Sequence, residues 1–383
     1  MQPGVHDVFA VAHAQGLIAE QGGVDDRSAE GGSAEKPRVV IVHRKGVGFD
    51  VVRGHEVFVR DECFADLQRV EGEGLEVAQG RTLLAEVMRQ GTPGPTGDAS
   101  GRAGRSSGII RRMRHQEKTI SVGGSDVHMW VGGQGDPLLV LHGAGGNRGW
   151  TRWIEQVAER FTVWAPTHPG FGRSGDADWM EGIDDLARFY LWFIDAAGLG
   201  RPHVLGHSIG GWTAAEMAAM SPGSIDKLVL VAPVGLKPET GEILDVFYHP
   251  PAQLLTMTVH DPKTIPEWDE LFGHPPTPAE LEIATRNREM TARLTWKPYM
   301  HNLRLVRFLP RVTNPTLVVW GREDRIVPVV CGEQYRRLLP NATLSVLERC
   351  GHLPPLEQPD AFARLVLDFL SAPPPAAGGS TRS

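Results

Sequence analysis

Residues 202–220 read PHVLGHSIGGWTAAEMAAM, and this stretch decides the fold. The run PHVL predicts a short buried strand and WTAAEMAAM predicts a helix, so the G-x-S-x-G between them lies in a strand-turn-helix context. Gly206 and Gly210 remove side chains that would collide in so tight a turn. We therefore predict that Ser208 is a nucleophile held above a helix N-terminus, with the amide of Ile209 directed at the same space.

The same alternation of short apolar runs and helical stretches continues along the chain. Eight runs predict strands: TISV, VHMWV, PLLVLHG, FTVWAP, PHVLGHS, KLVLVAP, PTLVVWG and ATLSVLE. Apolar residues spaced by three or four, from Ile183 to Ala197 and from Phe362 to Leu370, predict amphipathic helices. This order predicts an α/β fold with a mostly parallel sheet and helices on both faces.

One segment interrupts the alternation, because roughly 80 residues separate the strand KLVLVAP from the next strand. We call residues 234–310 the insert. It mixes helical sequence with Pro-rich turns, and an insertion at the carboxyl edge of a parallel sheet lies where such sheets bind ligands. The insert is predicted to be a mainly helical cap, and its residues Trp268, Phe272 and Trp296 are predicted to contact substrate.

A glycine-rich loop, HGAGG (142–146), follows the strand PLLVL. In such a sheet this loop brings a backbone amide, here that of Ala144, toward the nucleophile. Together with the Ile209 amide it would form a two-donor oxyanion hole. A plain glycine-rich turn is the alternative, whereas a nucleotide-binding loop is disfavoured because the loop has neither G-K-[ST] nor G-x-G-x-x-G. His142 is expected to fix the loop rather than titrate.

A serine nucleophile needs a base, and the base needs a carboxylate to orient it. The strand PTLVVWG is followed by REDRIVP, and the strand ATLSVLE leads to RCGHLP. Both segments reach the same edge of the sheet, in the order Ser, Asp, His that this architecture expects. Asp324 and His352 are therefore predicted to complete a triad with Ser208, and Glu323 is the alternative acid.

Residues 115–372 resemble the α/β-hydrolase fold superfamily, in the branch with a helical cap and a serine nucleophile. The resemblance is carried by HGAGG, HPGFGRSG, GHSIGG, GREDRIVP and CGHLPPLEQP, in the family's order and at its spacings. It implies an eight-stranded sheet and the same triad and oxyanion hole. The chain resembles most the bacterial carboxylesterases and the meta-cleavage-product hydrolases, which split C–C bonds in aromatic degradation. Dehalogenases and epoxide hydrolases of this fold carry Asp where this chain has Ser208.

The leading functional prediction is a serine hydrolase that cleaves a small to medium acyl compound, of carboxylester type, through an acyl-enzyme. The alternative within enzymes is hydrolysis of a C–C bond in a vinylogous diketone acid. That reaction needs a cation for the substrate carboxylate, and Arg286, Arg288 and Arg293 in the insert are candidates. A receptor without catalytic activity, which keeps the triad to bind its ligand, is the alternative from another class.

Composition and charge exclude other classes. The net charge of -7, from 39 Lys and Arg against 46 Asp and Glu, predicts no basic surface for nucleic acid. There is no run of 18 or more apolar residues that would predict a membrane span, and no spacing typical of a metal site. Neither a metal nor another cofactor is expected. Three cysteines, Cys63, Cys331 and Cys350, argue against a disulfide framework, and the cytoplasm is the predicted compartment.

Composition also divides the chain into two parts. All 10 Trp and all 4 Tyr lie beyond residue 113, and a stretch rich in Gly, Pro, Ser and Thr just before it predicts a flexible joint. Residues 1–112 are predicted to be a poorly ordered leader or a small extra region of unknown role, with a hairpin or two within 39–62. The hydrolase domain is predicted over 113–372, and 373–383 is predicted to be a disordered tail.

Overall fold

The computed structural model describes residues 42–45, 48–51 and 115–373. The chain divides into two units, residues 1–105 and 106–383. In the first unit, strands β1 (Val42–Lys45) and β2 (Gly48–Val51) pair antiparallel, inside the segment where a hairpin was expected. The rest of the predicted leader and residues 374–383 of the predicted tail lie outside the described residues.

The second unit is built on one eight-stranded sheet, which confirms the predicted α/β fold. Its strands are β3 (His115–Val122), β4 (Ser125–Gly133), β5 (Pro137–Leu141), β6 (Thr162–Pro166), β7 (His203–His207), β8 (Leu228–Val231), β9 (Thr316–Gly321) and β10 (Ala342–Leu347). The order across the sheet is β10-β9-β8-β7-β5-β6-β4-β3. Strand β4 runs antiparallel to both of its neighbours, and the other pairings are parallel.

Helices follow most of the strands, and four of them belong to the insert. The helices are α1 (Arg152–Val157), α2 (Ile183–Ala196), α3 (Ile209–Met220), α4 (Pro251–Thr258), α5 (Trp268–Phe272), α6 (Pro278–Thr295), α7 (Leu305–Phe308), α8 (Val330–Leu338), α9 (Pro354–Glu357) and α10 (Pro359–Ser371). Helices α4 to α7 lie between β8 and β9, so the insert is helical, as its sequence indicates.

Alternating strand residues give the sheet two apolar faces, because successive side chains of a strand point to opposite sides. In β5, Leu139 and Leu141 pack with α2 and α3, whereas Leu138 and Val140 pack with α1 and α10. All four side chains are buried. Helix α10 buries the predicted apolar stripe that begins at Phe362. Helices therefore cover both faces of the sheet, and only its edges and the loops remain for a site.

The carboxyl ends of the parallel strands meet at one edge of the sheet. Leu141 at the end of β5 pairs with Gly206 in β7, and Gly321 at the end of β9 pairs with Leu347 in β10. The loops that follow these strands carry the residues predicted to form the site. Parallel pairing by itself therefore brings those residues to the same edge, next to the insert.

Candidate active site

The turn between β7 and α3 holds Ser208 in a strained conformation. Its φ is 55° and its ψ is -116°, a combination that side-chain-bearing residues rarely adopt and that is typical of functional turns. A Cβ atom on Gly210 would lie 2.3 Å from the carbonyl oxygen of Leu141, so only glycine allows the turn to approach β5 this closely. Ser208 is 7% exposed and directly precedes the N-terminus of α3, as predicted from the sequence.

The loops after β9 and β10 bring Asp324 and His352 together. One carboxylate oxygen of Asp324, Oδ2, lies 2.7 Å from Nδ1 of His352. The other, Oδ1, accepts the backbone N–H groups of Ile326 and Val327 at 2.8 and 2.9 Å. The Asp324 side chain is fully buried. Because a carboxylate accepts, Nδ1 of His352 carries the proton, and Nε2 of the neutral imidazole is free to take one from a nucleophile.

Glu323, the alternative acid, occupies a different position. Its Oε2 atom accepts the backbone N–H of Cys350 at 2.8 Å, so this carboxylate stabilises the loop before His352 instead of its imidazole. Cys350 itself is buried, and burial raises the pKa of its thiol. A thiol of that kind is a packing group and a poor nucleophile.

His207, the residue before Ser208, connects the turn of the serine to the loop that carries His352. His207 donates from Nε2 to the carbonyl oxygen of His352 at 2.8 Å, and the two imidazole centroids are 5.0 Å apart. Burial lowers the pKa of His207 to about 3, so this ring stays neutral. The Ser208 hydroxyl makes no hydrogen bond to His352 in the described part of the chain. Such bonds are often long before substrate binds and shorten in the complex.

The predicted oxyanion hole has its two amides available. A Cβ on Gly143 would lie 3.2 Å from the Cβ of Ser208, which places the HGAGG loop directly beside the serine. Neither the N–H of Ala144 nor that of Ile209 donates to another described residue, although Ile209 is fully buried at the start of α3. Unpaired amides beside a nucleophile are what a developing oxyanion requires.

A buried histidine pair fixes the HGAGG loop. The N–H of His168 donates to Nε2 of His142 at 2.9 Å, so His142 carries its proton on Nδ1 and donates it to Gly143 O at 2.7 Å. His168 donates from Nε2 to His142 O and accepts the hydroxyl of Tyr190 on Nδ1. Burial lowers the pKa of His142 to about 4 and that of His168 well below its ordinary value. Both rings are therefore neutral, and their hydrogen bonds hold the HGAGG loop in place.

Glu357 is a site residue that sequence reasoning missed. Its carboxylate is 5% exposed and accepts the backbone N–H groups of Gly351 and Leu353, on both sides of His352, at 2.9 to 3.0 Å. It also accepts the N–H of His260 in the insert at 2.7 Å. Its position five residues after His352, in the quoted motif CGHLPPLEQP, is the signal that could have found it.

Asn287 in α6 is a second residue missed from the sequence. Its Nδ2 donates to Gly145 O at 3.3 Å and its Oδ1 accepts the N–H of Gly172 at 2.8 Å. The insert therefore contacts the HGAGG loop directly.

The three aromatic residues predicted to contact substrate lie in two places. Trp268 and Phe272 in α5 are half-buried, with ring centroids 4.7 Å apart, and pack on the cluster that contains Leu353 next to His352. Trp296 is 52% exposed and contacts the rings of Phe247 and Tyr299. The structure thus brings Trp268 and Phe272, but not Trp296, next to the His352 loop.

The insert arginines considered for a substrate carboxylate have protein partners. Arg286 donates to Gly172 O, Ser174 O and Asp176 Oδ1 at 2.6 to 2.9 Å. Arg288 donates to the carbonyls of residues 246 and 247. Arg293 lies 3.9 Å from Asp178, with both side chains largely in solvent. The first two guanidinium groups therefore hold backbone in place.

Two further observations concern side-chain clusters that could hold a metal ion and helices that could span a membrane, both within residues 115–373. No cluster of three or more His, Cys, Asp or Glu in this range is arranged to hold a metal ion. Likewise, none of the helices described there combines the length and apolarity needed to cross a membrane.

Comparison with known proteins identifies the family of this chain. The model of the alpha/beta hydrolase family matches residues 138–365, and the chain belongs to that family. The 2-hydroxy-6-oxo-6-phenylhexa-2,4-dienoate hydrolase of Burkholderia cepacia is 31% identical over 271 residues, which cover 64% of this chain and 91% of that protein. The chain is therefore a hydrolase.

Two solved structures extend the comparison. The 2-hydroxy-6-oxo-6-phenylhexa-2,4-dienoate hydrolase of Rhodococcus sp. strain RHA1 is 26% identical with a TM-score of 0.58, covering 68% of this chain and all of that one. A membrane phospholipase A described as a bacterial virulence factor is 27% identical, also with a TM-score of 0.58, covering 68% of this chain and 86% of that one.

Proposed function

We propose that this chain is a serine hydrolase that cleaves a C–C bond next to a ketone in an acidic, conjugated substrate of the 2-hydroxy-6-oxodienoate kind. The observation that carries the proposal is the 2.7 Å contact between Asp324 and His352 beside the strained turn of Ser208. His207 of that turn donates to the His352 carbonyl at 2.8 Å. Similarity to dienoate hydrolases supports the choice of substrate. This proposal replaces the carboxylester-type substrate, predicted first from the sequence, with the alternative.

In this mechanism Ser208 attacks the ketone carbon of the substrate. Nε2 of His352 takes the hydroxyl proton, and Asp324 stabilises the resulting imidazolium through Nδ1–H. The carbonyl oxygen becomes an oxyanion that accepts hydrogen bonds from the amides of Ala144 and Ile209.

The leaving group distinguishes C–C cleavage from ester cleavage. The 2-hydroxydienoate reacts as its 2-oxo tautomer, in which the 2-hydroxyl has lost its proton and the carbon next to the ketone has gained one. When the bond between the ketone carbon and this neighbour breaks, the electron pair remains on a carbon that is conjugated with the 2-oxo acid. The pair is delocalised there, and the carbon or its vinylogous oxygen takes the proton from His352. Water activated by His352 then hydrolyses the acyl-enzyme, releases a carboxylic acid and restores Ser208.

Ester hydrolysis is the second candidate. It uses the same acyl-enzyme with an alkoxide as leaving group, and the similarity to a phospholipase supports it.

The test is a substrate panel with the full chain. The 2-hydroxy-6-oxo-6-phenylhexa-2,4-dienoate chromophore should disappear faster, in kcat/KM, than p-nitrophenyl esters are hydrolysed. Ser208→Ala and His352→Ala should each lower kcat by about 10⁶, the scale of other triads. His274→Gln, an exposed histidine of the insert, is the matched control and should be unchanged. Turnover of esters alone would favour the second candidate, and binding without turnover of either class would indicate a receptor.

A further inference from the structure

One cation at this edge of the sheet has no hydrogen-bond or ion-pair partner among the described residues. Arg148 lies in the loop between β5 and α1, and its side chain makes no hydrogen bond or ion pair with any residue in 115–373. Its guanidinium lies 4.7 Å from the centroid of the Phe272 ring in the insert. A Cβ on Gly145 would be 2.9 Å from an Nη atom of Arg148, so the head group lies against the HGAGG loop.

Arg148 as a residue reaches solvent, yet protein atoms surround its guanidinium group. Arg148 is exposed, but its surroundings disfavour the charged form and lower the pKa of its guanidinium to about 10, so it stays cationic at neutral pH. Burial is the main cause of the low pKa values of His142 and His207, and the Arg148 charge lowers both further. The charge is close to these two histidines, which precede Gly143 and Ser208, since His142, His207 and Arg148 line the same cavity.

A cavity of about 90 Å³ lies beside this charge. Its lining includes Arg148, Gly143, His207 and Thr151. Thr151 is 5% exposed, and its hydroxyl has no hydrogen-bond partner in the described part of the chain. The cavity thus offers one unpaired cation next to the loop that touches the nucleophile.

We propose that Arg148 binds the carboxylate of an acidic substrate whose reactive carbonyl lies at Ser208. The proposal rests on the serine hydrolase activity proposed above and assigns its acid specificity to the loop after β5 instead of the insert. Arg286 and Arg288 already donate to backbone carbonyls. A guanidinium without hydrogen-bond partners offers a carboxylate two parallel N–H donors, and the Phe272 ring packs beside this one.

The test compares two esters that differ in one charge. These are the p-nitrophenyl monoester of glutaric acid and p-nitrophenyl pentanoate, an uncharged ester of equal length. In Arg148→Gln we expect KM for the acidic ester to rise by about 10-fold to 100-fold, the scale of a lost hydrogen bond to a charged group. KM for the uncharged ester should stay within twofold. In Arg148→Lys, KM for the acidic ester should lie between those of the wild type and Arg148→Gln, because lysine keeps the charge but lacks the two parallel N–H donors. Arg307→Gln, which removes an exposed arginine of α7, is the matched control and should alter neither ester.

A binding measurement separates this proposal from the proposed function. Calorimetric titration with sorbate, an unreactive dienoate, needs no turnover and should show affinity at least tenfold weaker in Arg148→Gln than in the full wild-type chain. If the wild type cleaves no dienoate and no ester but sorbate shows this loss, the proposed function fails and the Arg148 site stands. An unchanged ratio of the two ester KM values in a folded Arg148→Gln variant overturns the Arg148 proposal, and so does a wild type that binds no sorbate.

Discussion

Lowering the pH should decrease the free energy of unfolding of this protein, because buried histidines near Ser208 are neutral in the folded state. Burial lowers the pKa of His142 to about 4 and that of His207 to about 3, against about 6.5 in an unfolded chain. Below about pH 6.5 the unfolded chain therefore binds protons that the folded chain does not. The free energy of unfolding should fall as pH is lowered from there toward those folded-state pKa values.

The size of the effect follows from the two pKa values. For His142, linkage between about 6.5 unfolded and about 4 folded gives a loss of about 2 kcal/mol from pH 7.5 to pH 5. His207 gives about the same, because at pH 5 both folded rings are still almost unprotonated. Burial lowers the pKa of His168 as well, so it acts in the same direction. Two such losses are a large part of a typical domain stability of about 5–15 kcal/mol.

Urea unfolding of the full chain at pH 7.5 and pH 5 measures this loss. In His207→Gln, where the amide nitrogen can replace Nε2 as donor to the His352 carbonyl, the loss should be smaller by about 2 kcal/mol. His274→Gln, which removes an exposed histidine, should lose as much as the wild type. If His207→Gln and the wild type lose the same free energy, His207 does not fold as a neutral group and the reasoning is refuted.

Three further predictions concern the acid, the insert and the chain before the sheet. Asp324→Asn should lower kcat by about 10⁴, whereas Glu323→Gln should be mild, because the Glu323 carboxylate accepts the backbone N–H of Cys350 and does not orient His352; the opposite ranking in steady-state kinetics would assign the acid to Glu323. Phe272→Ala should change the kcat/KM ranking of long against short acyl chains by about 10-fold to 100-fold, and the same change in exposed Trp296→Ala would contradict the placement of these rings. A chain beginning at Met113 should keep its kcat, and loss of activity would give residues 1–112 a role in the site.

Residues at strand ends were the part of the site that sequence could predict. Ser208, Asp324 and His352 each follow a short apolar run, and parallel pairing brings the ends of such runs to one edge. The fold could be predicted for the same reason, since the period-two and period-3.6 patterns that identify strands and helices are local.

Contacts between residues far apart in the sequence could not be predicted from the sequence. Asn287 bridges two loops that lie more than 110 residues before it, and nothing near it in the sequence indicates those partners. The insert arginines were equally ambiguous, because composition shows three cations and only packing shows that Arg286 and Arg288 already hold carbonyls. For Arg148 the informative feature is that its side chain has no hydrogen-bond or ion-pair partner among residues 115–373. No sequence pattern indicates this.

A small set of hydrogen bonds connects the loop that carries His352 to the insert. The N–H of His352 donates to Thr258 O at the end of α4. Glu357 accepts from the backbone on both sides of His352 and from His260, which follows α4. A movement of α4 therefore has to displace the loop that carries His352, or break hydrogen bonds to a buried carboxylate, each worth about 1.5–3 kcal/mol. The His352 imidazole must lie within hydrogen-bond reach of Ser208 to act as a base. His352 can therefore act only when the insert is packed in the position that the structure shows.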